Sequence, residues 1–497
     1  MLAIVMGAAS LVLAALPAAA DPPAPPPTPA VLEDINATPA TLMPFAGDVD
    51  IENRLDVAGR VVVAGERLHE HLVRRFYIAH GWKTVWGAHP AAAAALWRQV
   101  QRAGEHGLDP AAFHSLSLGG RARMLSAVER ELLLSDAILS YADALARGAV
   151  PVGNRPDDED LRPSPVNVVA VVDTALSAPD PGETIEALAP VSPEYLAMRR
   201  AYADYLALAA SGGRVSAAGA RRRMARFNVA EALRRARQIA INLERLRWLP
   251  RDMPPDRLVV DAATSQLQLF RDDRPVFTTR VVVGEFDKQT PELQSVIKYI
   301  LFNPPWNIPP SIVRKEILPR LAANRSYLSE HHMRWRGPMS VQQEAGRYSS
   351  LGRLKFEMDD RFDVYLHDTP EKWRFQSADR MMSHGCVRVE NPRMLASLLL
   401  SASLADVDKA VEVNRTHSRA LPRPLPVFIV YRTAVAESDG SIAFRGDPYQ
   451  RDERVWASLS RARELRMAQK SGLQSADKVN TGLSGSTVAQ KTATIGN

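Results

Sequence analysis

Residues 257–284, RLVVDAATSQLQLFRDDRPVFTTRVVVG, decide the fold class of this chain, because apolar and polar residues alternate along them. Leu267 and Leu269 fall on one face of the central run, and Gln266, Gln268 and Phe270 fall on the other. A period of two indicates strands with one buried face. The ATS and RDDRP segments between the runs are typical of turns. The stretch therefore predicts the hairpins of a β-rich domain that begins near residue 251.

Upstream of this stretch the apolar residues recur every three or four positions, which is the helical period. Similar stripes run through residues 90–110 and 129–148. Asn228 and Glu231 have the spacing of a capping box, and Pro250 ends the pattern that follows them. The stripe in this last segment consists of Val229, Leu233, Ala236, Ile239, Leu243 and Leu246. We predict a mainly α-helical domain over residues 51–250 with a structural rather than a chemical role.

Downstream of the alternating stretch, residues 295–302, SVIKYILF, predict a further strand. The prolines of NPPWNIPP at residues 303–310 end it, because proline cannot donate to a strand ladder. Residues 311–340 are polar and partly helical, and an insertion of this kind in a catalytic domain is a natural lid, at about residues 305–345. Trp306 either lines a groove or packs inside the turn, and the sequence favours neither.

The two ends of the chain predict segments outside these domains. Residues 1–20 combine an uncharged apolar run with an Ala-rich cleavage site, which indicates a secretory signal peptide. Because no Lys or Arg precedes that run, the alternatives are a true start further upstream and an uncleaved membrane anchor. Residues 21–50 read as a proline-rich linker, and the Ser-, Thr- and Gly-rich residues 470–497 as a disordered tail. An exported protein is expected.

Composition narrows the functional classes. The chain is 46% hydrophobic and 24% charged, which is typical of globular proteins. Its net charge of +6 is too small to indicate nucleic-acid binding, although it suits a polyanionic envelope surface. The pairs His69 with His71 and His331 with His332 lack the spacing and the third ligand of a metal site. We therefore predict no metal and no nucleic-acid partner.

The chain has one cysteine, Cys386, in SHGCVRVENP at residues 383–392. In an oxidising compartment a single cysteine is a buried apolar residue, an intermolecular link or a nucleophile. A nucleophilic thiol requires a nearby imidazole or cation, because the free thiol is mostly protonated at neutral pH. The predicted strand RFDVYLHDTP, residues 361–370, places His367 opposite its apolar face, and His384 lies two residues before the cysteine. Both histidines stay open as the base, and catalysis and burial of the thiol are about equally supported by these arguments.

The motifs YLHDTP at residues 365–370 and SHGCVRV at residues 383–389 resemble the signature of the L,D-transpeptidase catalytic domain, also called the YkuD domain. The segments VVVGEFDKQTP, NPPWNIPPSI, LGRLKFEM and VFIVYRTAVAESDGSIAFRGDPYQRD resemble the large periplasmic branch of that family. Residues 90–148 contain AGEHGLDP and ELLLSDAILSYADALARG, which are similar to the helical scaffold domain of the same branch. The peptidoglycan-binding module of that branch is apparently lacking, since residues 205–228 are too few to hold it.

The resemblance implies a multi-domain α+β protein, with a mainly α-helical scaffold domain before a β-rich, β-sandwich-like catalytic domain that carries a partly helical lid. The catalytic domain spans residues 251–435, and a C-terminal extension at residues 436–469 packs on it. Cys386 is implied as the nucleophile and His367 as its base. Ser383, His384 and Gly385 are implied to shape the oxyanion site, and Arg388 to orient substrate or thiolate. Tyr365 and Trp306 are further substrate-binding candidates.

The implied reaction is peptidoglycan L,D-transpeptidation in the periplasm, without cofactor or metal. A tetrapeptide stem acylates the cysteine and a second stem accepts the acyl group, which gives a 3→3 cross-link; cell-wall synthesis proteins are possible partners. The alternatives are an L,D-carboxypeptidase, transfer of the stem onto an envelope protein, and a non-catalytic wall-binding scaffold. A membrane contact is expected only if the N-terminal segment is uncleaved.

Overall fold

The structure is a computed structural model that describes residues 51–55, 61–120, 122–155, 159–211 and 228–460. The predicted signal peptide, proline-rich linker and C-terminal tail lie outside the described residues. Within the described residues, no helix has the length and apolar composition required to cross a membrane.

The N-terminal region is helical, as the sequence predicts. Its helices are α1 (Ile51–Leu55), α2 (Glu70–Ala79), α3 (Pro90–Gln101), α4 (Ser115–Leu118), α5 (Ala127–Arg147), α6 (Val168–Ser177), α7 (Pro181–Glu186), α8 (Pro193–Ala210) and α9 (Val229–Arg247). Three short strands accompany them, β1 (Val62–Val63), β2 (Glu66–Arg67) and β3 (Glu159–Asp160). The apolar faces of these helices share one core.

Helix α9 shows how local sequence sets these elements. The Asn228 side chain accepts a hydrogen bond from the Glu231 backbone N–H at 2.8 Å, which satisfies a donor that the first turn leaves free. The helix ends at Arg247, three residues before Pro250. Ala236, Ile239 and Leu243 of the predicted stripe are buried, whereas Val229 at the start of the helix is exposed. The cap at Asn228 and the middle of the predicted core face are confirmed.

The histidine pairs that the sequence flagged make ordinary structural contacts. The ring Nδ1 of His69 lies 3.2 Å from the Asp136 carboxylate. His331 bonds through its ring to the backbone oxygen of Tyr327, and the His332 ring stacks on Tyr348. Among the residues that the structure describes, no group of three or more His, Cys, Asp or Glu is placed to hold a metal ion.

The C-terminal region is β-rich, which confirms the predicted fold class. Its strands are β4 (Arg257–Asp261), β5 (Gln266–Arg271), β6 (Arg274–Gly284), β7 (Glu292–Phe302), β8 (Trp306–Ile308), β9 (Met333–Gly337), β10 (Ser340–Gln343), β11 (Leu354–Phe356), β12 (Leu366–His367), β13 (Met381–Ser383), β14 (Val387–Val389), β15 (His417–Val430), β16 (Ala434–Ala436) and β17 (Ile442–Phe444). Helices α10 (Pro310–Ile312), α11 (Leu318–Ala323), α12 (Tyr327–Glu330), α13 (Pro392–Leu400) and α14 (Leu404–Glu412) lie between strands.

The main sheet folds back on itself and closes. Each strand pairs with the next in the order β11, β12, β14, β6, β5, β4, β15 and β7, and β7 pairs again with β11, so these strands form a ring within the described residues. On β5, Leu267 and Leu269 are buried while Gln266 is exposed, as the alternation predicts. The inward residues of the ring, together with α13 and α14, form the core of this region.

The predicted strand at residues 361–370 is much shorter than expected, because only Leu366–His367 joins the ladder. The preceding residues are held by a side chain instead. The Asp360 carboxylate accepts hydrogen bonds from the backbone N–H groups of Phe362 and Val364, at 2.8 and 3.2 Å. A loop of fixed shape therefore leads into β12.

The predicted lid is a small module with its own core. Strands β8, β10 and β9 form an antiparallel sheet, and α10, a π-helical turn at Val313–Ile317, α11 and α12 pack against it. Ile308, Val313, Ile317 and Val341 are buried inside the module. The insertion is therefore an ordered body rather than an unstructured loop.

The helical and β-rich regions are joined by backbone and charge. Strand β3 of the helical region pairs in parallel with β7, with Glu159 opposite Glu292. From the C-terminal side, Arg245 of α9 meets Asp452 at 2.6 Å, and residues 451–460 are helical. Arg451 forms a buried ion pair with Glu292 at 3.1 Å. Strand β7 and the segment that begins at Arg451 are thereby attached to the helical region.

Candidate active site

Cys386 lies in a turn between β13 and β14 whose shape is fixed by hydrogen bonds. The Ser383 hydroxyl donates to the Cys386 backbone oxygen at 2.6 Å and accepts from the Gly385 N–H at 3.1 Å. The Thr290 hydroxyl donates to the Gly385 oxygen at 2.8 Å. Gly385 has a φ of +113°, which L residues rarely adopt, so this position requires glycine for its conformation. Ser383 is buried and acts on the turn itself.

The loop that carries Thr290 is braced by the C-terminal segment. Thr290 also accepts the Gly284 N–H at 2.8 Å, and the Tyr449 hydroxyl donates to the Gly284 oxygen at 2.6 Å. The Arg451 guanidinium donates to the Thr290 oxygen and to the Gln289 side chain, each at 3.0 Å. The contacts of the cysteine turn therefore extend to residues about 65 positions further along the chain.

The thiol of Cys386 is partly exposed but closely surrounded by protein groups. Its sulfur lies 3.9 Å from the Asp363 backbone oxygen. Desolvation raises the pKa of the thiol, and hydrogen bonding from the Tyr365 N–H and hydroxyl and the charge of Lys355 oppose that rise. The resting group is therefore a protonated thiol that has donors ready for the thiolate.

His367 lies on the strand beside the cysteine. Strands β12 and β14 pair in parallel with Leu366 opposite Val387 and His367 opposite Arg388, so His367 lies across from the strand that follows directly after Cys386. The His367 Nδ1 lies 2.5 Å from the Asp368 backbone oxygen, which assigns the proton to Nδ1 and leaves the lone pair on Nε2. Burial, followed by the Arg388 charge, lowers the pKa of His367 to about 3. The ring is neutral at physiological pH and can accept a proton.

Arg388 is held by an acidic partner beside the histidine. Its guanidinium meets the Glu371 carboxylate at 2.5 Å, and Glu371 also binds Arg374 at 2.8 Å. Glu371 belongs to the segment that follows β12, so this pair ties that segment to β14. The predicted orienting residue therefore lies on the same face as His367.

His384 connects the cysteine turn to the lid. Its Nε2 lies 2.5 Å from the Glu316 carboxylate in the π-helical turn of the lid, and the Lys288 ammonium lies 3.4 Å from the same oxygen. Burial alone would raise the pKa of Glu316, but the hydrogen bond and charge of His384, with Lys288, bring it below its usual value. The lid is therefore fastened to the residue two positions before the cysteine.

Replacing Glu316 by Ala is expected to loosen this lid contact and raise the reactivity of Cys386 toward iodoacetamide. A partly exposed ion pair contributes up to about 1 kcal/mol, so the alkylation rate should rise by up to about fivefold. The measurement is the rate of mass gain at pH 7. Glu330→Ala, on the same lid but bonded only within it through Asn324, is the control. Equal rates in Glu316→Ala and wild type would show that the contact does not hold the lid.

Tyr365 and Trp306 lie next to each other at the sulfur. Trp306 opens β8 at the root of the lid, and its indole is close enough to the Tyr365 hydroxyl to oppose part of the rise in the pKa of that group. Burial, and then the nearby Cys386, raises the pKa of Tyr365 far above its usual value, so its hydroxyl stays protonated. The tyrosine is thus a neutral group beside the thiol, and Trp306 lies near it at the root of the lid.

Three contacts of this site were missed by the sequence analysis. Lys355, Thr290 and Glu316 reach the site from separate strands and loops, and short motifs do not report such pairings. A partial signal existed for Lys355, because it alternates with buried Leu354 and Phe356 in LKF and so points to the other face of its strand. Thr290 and Glu316 had no comparable signal.

Two regions of the chain are similar to known families. Residues 255–413 match the family model "L,D-transpeptidase catalytic domain" (YkuD), and residues 71–201 match the model "Scaffold domain". A Haemophilus influenzae protein named "Putative L,D-transpeptidase" is 33% identical over 241 residues, which cover 44% of this chain and 48% of that protein. The chain thus spans about half the length of this curated relative.

Solved structures show weaker likeness. An L,D-transpeptidase from Mycobacterium smegmatis is 12% identical with a TM-score of 0.20, over 35% of this chain and 58% of that chain. L,D-transpeptidase 3 from Mycobacterium tuberculosis is 11% identical with a TM-score of 0.19, over 36% and 62%. The assignment rests on the two family models and the curated relative. The chain therefore carries a catalytic domain of the L,D-transpeptidase (YkuD) family at residues 255–413, preceded by a scaffold domain at residues 71–201.

Proposed function

We propose that this protein is a peptidoglycan L,D-transpeptidase that forms 3→3 cross-links through a thioacyl-enzyme on Cys386. The observation that carries the proposal is a neutral, buried His367 on β12, paired with the strand that follows directly after the protonated Cys386 thiol, with Arg388 opposite it. This arrangement suits acyl transfer by a cysteine. The family match supplies the substrate class, which is the peptide stem of peptidoglycan.

In the first step the sulfur attacks the carbonyl carbon at the L-centre of the third stem residue. His367 takes the thiol proton at Nε2 as the carbon–sulfur bond forms, because its Nδ1 proton is already bound to the Asp368 oxygen. The tetrahedral intermediate collapses with cleavage of the bond to the terminal D-alanine. The imidazolium then gives its proton to the departing amine, and a thioester remains on Cys386.

The developing oxyanion needs donors that are not already used. The Gly385 N–H is bonded to the Ser383 hydroxyl, so Ser383 and Gly385 support the turn rather than the oxyanion. We assign the main donor to the Tyr365 hydroxyl, because it stays protonated beside the sulfur and is released from the sulfur as the carbon–sulfur bond forms. His384 then acts through the lid, by its bond to Glu316.

In the second step the side-chain amine of another stem attacks the thioester. His367 takes a proton from that amine, the new amide forms, and the thiol is restored. The lid contacts the cysteine turn through Glu316 and His384, and we expect its closure over the site to exclude water and so favour the amine over hydrolysis. We place this chemistry in the periplasm, where the stems are.

The test is the intact mass of the purified protein after incubation with a disaccharide-tetrapeptide, with products analysed in the same run. A thioacyl adduct together with a 3→3 cross-linked dimer is the expected result. An adduct with only tripeptide product would replace the proposal by an L,D-carboxypeptidase, and an adduct transferred only to an added envelope protein would replace it by stem attachment. A folded protein that gives neither adduct nor product would overturn it in favour of a wall-binding scaffold.

A further inference from the structure

Lys355 is a charged residue close to Tyr365 that has no role in the mechanism above. It lies on β11, directly opposite His367 on β12, so the two side chains share a face of the sheet. Its ammonium lies 3.9 Å from the centre of the Tyr365 ring, well inside the range of a cation–π contact. The side chain is largely buried, with 18% of its surface exposed.

The ammonium is fixed in that place by a second partner. The Glu357 carboxylate, two residues along on the same face, lies 2.8 Å from the Lys355 ammonium. Glu357 therefore holds the cation while the aromatic ring lies beneath it. A lysine on an exposed edge would be mobile, whereas this one is bound at two points.

Tyr365 is the link between this cation and the sulfur. Its ring meets His367 edge-on, with ring centres 5.6 Å apart, and its hydroxyl is near Trp306 and Cys386. The orientation of one ring therefore determines whether the hydroxyl faces the reacting sulfur. Whatever holds that ring controls the donor that the reaction needs.

We propose that Lys355 is a positioning residue of the acyl-transfer reaction. Its ammonium lies over the face of the Tyr365 ring and holds that ring in the orientation that keeps the hydroxyl directed at Cys386. The inference rests on the proposed function for its meaning in turnover. The effect of Lys355 on the ionisation of the Cys386 thiol can be measured without substrate, from the rate at which a small alkylating agent modifies the cysteine. In the same position the ammonium favours the thiolate over the thiol.

Other charged and titratable groups also face the thiol and contribute to its ionisation. They are Asp360 in the loop before β12, Tyr365 next to β12 and Arg388 on β14, and His367 lies opposite Arg388 on β12. The His384 ring is bound to Glu316 of the lid. Glu371 is bound to Arg388 and offsets its charge. Asp360 opposes thiolate formation, while Lys355 favours it. Removal of Lys355 therefore leaves Asp360 less compensated.

The test compares Lys355→Met, which keeps the length of the side chain, with Lys355→Arg, which keeps the cation. The rate of Cys386 alkylation by iodoacetamide is measured from pH 6 to 10 by intact mass, and thermal unfolding checks the fold. Lys355→Met should move the midpoint of the profile to higher pH and lower the rate at pH 7 by about twofold to thirtyfold. Lys355→Arg should restore most of both. Lys298→Met, an exposed lysine on β7, is the matched control.

Tyr365→Phe makes the test specific to the ring. If Lys355 acts through the Tyr365 hydroxyl, the effect of Lys355→Met should be clearly smaller in the Tyr365→Phe background than in wild type, because only the direct charge of Lys355 on the thiol then remains to be lost. Unchanged profiles in folded Lys355→Met, or full additivity with Tyr365→Phe, would overturn the inference. Wild type could form no adduct with tetrapeptide while Lys355→Met still shifts the alkylation profile. That result would reject the proposed function and retain the role of Lys355 at the thiol.

Discussion

Cys386→Ala should abolish turnover of a disaccharide-tetrapeptide and leave the fold unchanged. Without the sulfur no thioester forms, so product formation should fall by about 10⁴-fold or more. The turn itself should survive, because Ser383, Gly385 and Thr290 hold it through backbone atoms and hydroxyl groups that the substitution does not touch. The loss of one small, partly exposed side chain costs little packing.

The measurement is intact mass and product analysis, with thermal unfolding followed in parallel. Ser418→Ala, at an exposed position on β15, controls for handling and should match wild type. Turnover by Cys386→Ala within tenfold of wild type would remove the cysteine from the chemistry. A large fall in melting temperature would instead assign Cys386 a packing role.

His367→Ala should lower the acylation rate at pH 7 by about 10²- to 10⁴-fold, which is the usual contribution of a positioned general base. The pKa of His367 is lowered to about 3, and that of the Cys386 thiol is raised. Between these values the ring is neutral and the thiol protonated, so proton transfer within the pair needs no change of pH. The wild-type rate should therefore be nearly flat from about pH 5 to 8.

The variant should show a different profile, because only spontaneously formed thiolate can react in it. Its rate should rise by about tenfold for each pH unit and approach the wild-type rate in alkali. Acylation by tetrapeptide, followed by mass at each pH, gives both curves. His384→Ala is the comparison, since His384 bonds to the lid rather than lying beside the thiol. Full activity of His367→Ala at neutral pH would transfer the role of base to His384.

Much of the framework follows from local sequence patterns. The cap at Asn228 and the alternation at Leu267 and Leu269 depend on neighbouring residues, so periodicity predicts both. The assignment of His367 as the base for Cys386 was predicted from the family motif and not from the physical properties of the residues. The residue types alone left His384 equally eligible, and only its contact with Glu316 separates the two.

What the sequence did not predict depends on long-range pairing. The closure of the sheet through β7 and β11 joins segments about 50 residues apart, and no local pattern specifies such a partner. The predicted strand before His367 is mostly a loop, because the Asp360 side chain competes for its backbone donors. The register that places Lys355 opposite His367 is likewise a property of the assembled sheet.

The brace between the C-terminal segment and the cysteine turn has a consequence for the order of assembly. During synthesis Thr290 emerges first, then Cys386, and Tyr449 and Arg451 emerge only after about 60 more residues. The native contacts of the turn are complete only when that last segment is available. A chain that stops short of Tyr449 would therefore contain the thiol of Cys386 but lack the residues that brace its turn.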